Sequence, residues 1–121
     1  MKKLNKNYLD RYSRQIVLKN VGLTGQKKIS LSKVFIVGAG GRGSPIADLL
    51  CRAGIGEIGI IDYDKVSLSN LNRQTLYNST DINKYKVQVL KQRLKKEIGR
   101  AHVWTPVTVP YLVCRLLLEK K

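Results

Sequence analysis

Three features of the sequence predict an α/β fold on a parallel, Rossmann-like sheet. The apolar run Val34 to Val37 breaks at once into Gly38, Gly40 and Gly43. A second apolar run, Ile58 to Ile61, ends in Asp62, and the stretch between them, Ser44 to Ala53, has helical apolar spacing. Strand, tight turn, helix and parallel strand form one β-α-β unit, with the crossover right-handed by the usual rule. At 121 residues the chain holds one core.

Each element has a local reason. Residues 5–18 carry Tyr8, Tyr12 and Ile16 at i, i+4 and i+8, one face of a helix, with Arg11 and Arg14 off that stripe as solvated charges. Residues 21–32 contain Gly22, Gly25 and two serines and are expected to be a loop with at most a short helix. After the glycines, Ile46, Leu49, Leu50 and Ala53 predict the inward face of the next helix, and Pro45 sits where a missing N–H is harmless. Residues 63–81 are polar and rich in serine and asparagine, a long loop of the kind that usually serves function. A further helix is expected from about Ile82 to Ile98, with Val87, Leu90, Leu94 and Ile98 inward. Val103 to Val107 reads as a third strand, which Pro106 confines to a ladder-free position, and Val109, Leu112, Val113, Leu116 and Leu117 share a last helical face.

The glycine spacing carries the first functional expectation. Gly38 permits the turn, Gly40 lets backbone N–H groups approach a pyrophosphate, and Gly43 lets the helix pack closely on the strand. An anion is then held at the helix N-terminus, and Asp62 stands at the separation from which a carboxylate grips ribose hydroxyls. Lys84 and Lys86 in the first turn of a helix oppose its dipole unless an anionic ligand lies nearby.

Composition narrows the class. The formal charge of +15 is scattered from end to end with no interleaved aromatics, so solvated faces are expected, then attraction to an acidic protein partner, and no specific nucleic acid. No apolar run approaches the length that spans a membrane, and the first ten residues lack a secretory h-region, so a cytoplasmic (or organellar stromal) protein is expected. Cys51 and Cys114 show no metal or redox spacing and are expected to be buried free thiols.

Taken together, RYSRQI at 11–16, GAGGRGSP at 38–45, DYD at 62–64, SNLNRQTLY at 69–77 and Lys86 resemble the ThiF/MoeB/HesA family of adenylyltransferases, relatives of ubiquitin-activating enzymes. Within it, the branch of molybdopterin-synthase adenylyltransferase and its thiamine-pathway cousin is the nearest likeness. The resemblance spans nearly the whole chain and places it on the N-terminal half of the family domain, residues 1–32 as a helical arm and 33–121 as a truncated nucleotide-binding domain. It implies ATP-dependent adenylylation of the C-terminal glycine of a ubiquitin-like sulfur carrier ending in Gly-Gly, with ATP and Mg2+ as cofactors. It also implies a homodimer or pairing with another chain, and no membrane partner. By the same resemblance Gly41 presents N–H groups to the phosphates and Asp62 holds the ribose. Asn70, Arg73 and Lys86 contact phosphate oxygens, and Arg14 reaches into a partner subunit's site.

Three departures from the family pattern stand out. Arg42 replaces an apolar residue in the phosphate loop, Gly99-Arg100 replaces an Asn-Pro, and the family's magnesium-holding aspartate, zinc-binding cysteines and acceptor cysteine have no counterpart. Two other readings are an inactive fragment or nucleotide-binding interaction module, and an NAD-dependent oxidoreductase half-domain; the basic cluster after the second strand argues against the latter. A sheet of order 3-2-1 would leave the edge Val34 to Val37 bare, a hazard expected to end in cover by another chain or in misfolding.

Overall fold

The computed structural model describes residues 6–98 and 102–104. Its elements are α1 (Lys6–Ile16), α2 (Gly22–Leu31), β1 (Lys33–Val37), α3 (Gly43–Ala53), β2 (Glu57–Ile61), two short 3-10 turns (Leu68–Asn70 and Ser79–Asp81), α4 (Lys86–Ile98) and β3 (His102–Trp104). The strands form one parallel sheet with β2 between β1 and β3, the expected order. Val34 aligns with Ile58 and Val37 with Ile61, while Ile58 aligns with Val103. Hemmed by a strand on each side, β2 is buried from Ile58 to Ile61, which is why it reads as an unbroken apolar run. The expected strand positions beyond Trp104, the last helical face and Cys114 lie outside the described residues.

One apolar core joins Ala47 and Cys51 of α3, Ile58 and Ile60 of β2, Val87, Leu90 and Leu94 of α4, and Val103 of β3. Three expectations need correction. Residues 21–32 are not a loop: Gly22–Leu31 is a ten-residue helix. Gln26 is its anchor, fully buried, donating through Nε2 to the Ala53 carbonyl at 3.0 Å and accepting from Gln15 Nε2 at 2.8 Å. Tyr8 Oη and Ser30 Oγ, 2.9 Å apart, join α1 to α2 as well. Tertiary contacts thus override the glycines' low helix preference.

The second correction concerns α3. Its buried residues are Ser44, Ala47 and Cys51, whereas Ile46 and Leu49 are 50% and 64% exposed, so the helix is turned from the face that apolar spacing picks out. The face turned inward carries the small residues Ala47 and Cys51, which join the core with Ile58, Ile60 and Leu90, and Leu50 packs partly against it. Third, α4 starts at Lys86 rather than Ile82. Residues 82–85 are held instead in a turn with Asn83 in the left-handed region (φ 72°), Asn83 N–H donating to Val66 and Val66 N–H to Lys84, each at 2.8 Å.

Gln15 Nε2 also donates to the Ala53 carbonyl at 3.0 Å, so two glutamines converge on the last residue of α3. Gly54 follows at φ 100°, and a Cβ there would lie 2.7 Å from Gln26 Nε2 and 2.9 Å from the Tyr12 ring. In the RYSRQI segment, Tyr12 and Gln15 therefore dock α1 and α2 against the C-terminal end of α3, and Arg11 and Arg14 stay exposed.

Candidate functional site

At the C-terminal ends of β1 and β2 the chain builds a cradle from backbone. Gly38 leaves β1 at φ 106° and its N–H donates to the Ile61 carbonyl at 2.8 Å. A Cβ on Gly43 would fall 1.8 Å from the Gly38 carbonyl oxygen, so this position takes only glycine and the loop folds onto the start of α3. Ser44 Oγ donates to the Gly40 carbonyl at 2.6 Å. Gly41 is exposed, with open space where a Cβ would go. Arg42 is exposed at the N-cap of α3 and makes no side-chain cap; the packing of the loop on the helix is intact.

Asp62 closes the cradle from β2. Its Oδ2 accepts the Ala39 N–H at 2.7 Å and its Oδ1 the Asp64 N–H, also at 2.7 Å. Tyr77, buried, donates its hydroxyl to the Ala39 carbonyl. The Ala39 residue is therefore clamped on both its polar atoms by side chains 23 and 38 residues away. Burial foremost, then the negative charge of Asp62, pushes the Tyr77 phenol well above its ordinary range, so it remains a donor.

The segment between β2 and α4 brings the remaining residues. Asn70 is spent partly on structure: its Oδ1 accepts from Ser67 N–H at 3.0 Å and Ser67 Oγ at 2.9 Å, which leaves the amide nitrogen to donate. Arg73 is exposed and donates through Nη1 to the Ser69 carbonyl and to Asn72 Oδ1. Lys86 is placed by its backbone N–H, which donates to the Asp64 carbonyl at 3.1 Å, two residues from Asp62. Only 5% of it is exposed. Among the described residues the ion-paired cations are Lys33, Arg52 and Arg93, so Arg14, Arg73 and Lys86 have no carboxylate partner. An anion bound nearby would supply the counter-charge that they lack.

Gln74 lies within the SNLNRQTLY segment, where its sequence position alone gives it no site role. It is 5% exposed, its Oε1 has no hydrogen-bond partner among the described residues, and its Nε2 lies 3.6 Å from where a Cβ on Gly40 would stand. Tyr77 was likewise missed; its position three residues on from Gln74 is the signal that links them, since Tyr77 N–H donates to the Gln74 carbonyl. Arg14 is the residue the fold does not bring to the cradle. It lies beside Gln15 at the far end of α3, and an 11-residue helix is about 16 Å long.

A glycine turn closed by Gly43, where no Cβ fits, a buried amide oxygen left without a partner among the described residues, and basic side chains without a carboxylate partner there fit a phosphorylated nucleotide. Among the described residues no group of three or more His, Cys, Asp or Glu is arranged to hold a metal by protein ligands alone, whereas a magnesium ion carried by a nucleotide needs only one or two carboxylates beside the phosphates. Cys51 is buried, with its thiol pushed up to about 11 by desolvation and then by Asp48, as expected of an inert thiol. Among the described residues no helix is long and apolar enough to cross a membrane.

Comparison with known proteins agrees with this geometry. The ThiF family model matches residues 12–103. An adenylyltransferase and sulfurtransferase MOCS3 of Aedes aegypti is 49% identical over 94 residues, 78% of this chain and 22% of that protein. A sulfur carrier protein adenylyltransferase of Thermus thermophilus is 43% identical over 90 residues, 74% of this chain and 33% of that protein. Among solved structures, E. coli MccB with ATP superposes with a TM-score of 0.77 at 31% identity, covering 95% of this chain and 35% of that one. The chain thus spans about a fifth to a third of the length of these curated relatives. The family model matches three quarters of the chain's length, and the chain belongs to the ThiF family.

Proposed function

We propose that this chain carries the phosphate-binding half of an ATP-dependent adenylyltransferase for the C-terminal glycine of a ubiquitin-like sulfur carrier, of the molybdopterin or thiamine kind. The observation that carries the reading is Lys86: buried, without a carboxylate partner among the described residues, and tied through Asp64 to the carboxylate that closes the glycine cradle. The names of the Aedes and Thermus relatives and the ATP in the MccB structure support it. We take residues 1–32 as the arm and 33–121 as the nucleotide-binding part, in a cytoplasmic or organellar stromal protein that works as a dimer or with another chain.

When bound, ATP supplies the phosphorus that a carboxylate attacks, with pyrophosphate as the leaving group. The reaction crowds two anions together, so it calls for positive charge and preorganised donors more than for a base. Gly38, Gly40, Gly41 and Gly43 form the backbone cradle that receives phosphate oxygens. Lys86 serves as a point charge and Arg73 as a guanidinium fork, which suits bidentate phosphate contact. The Asn70 amide nitrogen adds a neutral donor. Asp62 keeps lone pairs on both oxygens for ribose hydroxyls while its two backbone contacts hold it still. Arg14, about a helix length from this cradle, acts in the site of a partner subunit. Any magnesium enters with the nucleotide, and no step here depends on a protein ligand to it.

Calorimetric titration of the 121-residue chain with ATP plus magnesium, AMP and NAD tests the reading. ATP is expected to bind tightest; tighter binding of NAD would replace it with the dehydrogenase alternative.

A further inference from the structure

Gln74 is a buried amide whose acceptor is unused. Its Oε1 has no partner among the described residues, and leaving such a group unsatisfied inside a protein is costly unless something else makes the bond. Three of the neighbouring loop groups are already engaged. Ala39 N–H goes to Asp62, the Ala39 carbonyl receives Tyr77, and the Gly40 carbonyl receives Ser44. The amide is at Gly40, its Nε2 3.6 Å from where a Cβ on that glycine would stand, and Oε1 belongs to the same amide group.

An acceptor requires a donor. Nucleotide phosphates at neutral pH are acceptors, so they cannot satisfy Oε1; ribose hydroxyls can. Asp62, the expected ribose carboxylate, closes the residue immediately before Gly40. We propose that Gln74 is a binding residue that reads the sugar of the nucleotide, its Oε1 accepting a proton from a ribose hydroxyl beside Gly40. This rests on the ATP reading above. A site that hydrogen-bonds a hydroxyl rejects the analogue lacking it, because the buried polar group is then left unpaired.

The test compares the full chain with its Gln74→Met and Gln74→Glu variants, measuring binding of ATP and of 2′,3′-dideoxy-ATP by calorimetry and melting without nucleotide. Methionine keeps the shape and removes the orphaned oxygen, so Q74M is expected to melt no lower than the parent. Its preference for ATP over the dideoxy nucleotide is expected to fall roughly two- to tenfold, the worth of one hydrogen bond. Glutamate still accepts a hydroxyl proton, so Q74E is expected to bind both nucleotides more weakly and keep the preference. An unchanged preference in Q74M, or a loss shared equally by both nucleotides, overturns the assignment to the sugar. A lower melting point for Q74M together with an unchanged preference makes Gln74 a packing residue and overturns it as well. If the parent binds ATP but Q74M is indistinguishable from it, only this inference fails; a parent that binds neither nucleotide overturns the ATP reading and this inference with it.

Discussion

The Asp62 carboxylate accepts the Ala39 N–H at 2.7 Å across 23 residues of sequence, and so joins the loop after β1 to the end of β2. Its other oxygen holds the Asp64 N–H. Both are charge-assisted bonds to backbone, each worth about 1.5–3 kcal/mol where it is shielded from water. Asp62→Ala is expected to lower stability by about 2 kcal/mol or more, as well as to weaken nucleotide binding. An unchanged urea midpoint would show that the clamp contributes nothing to the fold.

The glycines of the cradle are not equivalent. At Gly43 a methyl group would meet the Gly38 carbonyl oxygen 1.8 Å away, whereas at Gly41 it would point into open space. Gly43→Ala is expected to cost about 2 kcal/mol or more through forced backbone movement, and Gly41→Ala to leave melting within about a degree or two of the parent. Equal melting points for the two variants would contradict the packing described.

Lys86 separates stability from binding. Its ammonium has no carboxylate partner among the described residues, so Lys86→Met should leave the unfolding midpoint unchanged or raise it. The same variant is expected to weaken ATP about tenfold or more and AMP far less, since lysine near the outer phosphates matters only where they exist. Equal losses for both nucleotides would move Lys86 away from those phosphates.

Stability should decline in alkali. The Cys51 thiol is raised from 9.0 to about 11, and the Tyr77 phenol is raised from 10.0. In the unfolded chain both lose protons at lower pH than in the fold, so their contribution is complete below about pH 9 and is lost as pH climbs through the folded values. Melting temperature is expected to be flat from pH 7 to 8.5 and to fall above 9. In a Cys114→Ser background, Cys51 should alkylate slowly at pH 8, where about one thiol in a thousand is ionised. Rapid labelling of the folded chain at that pH would contradict its burial.

The β-α-β unit with its glycine cradle was legible without coordinates. Glycine spacing, an apolar run and a terminal carboxylate are local patterns whose meaning does not depend on what else touches them: Gly43 must be glycine because of Gly38, five residues away. The three-strand order followed from the same logic. What sequence alone determined about this protein was therefore the frame of the site and the residue types that line it.

Tertiary structure decided the rest, because the deciding partners are distant in the chain. Gly22–Leu31 becomes a helix through Gln26, which is anchored on Ala53, 27 residues on. The rotation of α3 buries Ala47 and Cys51 and exposes Ile46 and Leu49, although all four read alike as apolar residues on a helix. Gln74, which no local pattern singles out, is buried at 5% exposure, as is Lys86, whose backbone N–H is bonded to the Asp64 carbonyl. Burial is a property of the assembled surface, and only the folded chain could say which polar groups lie inside it without a partner.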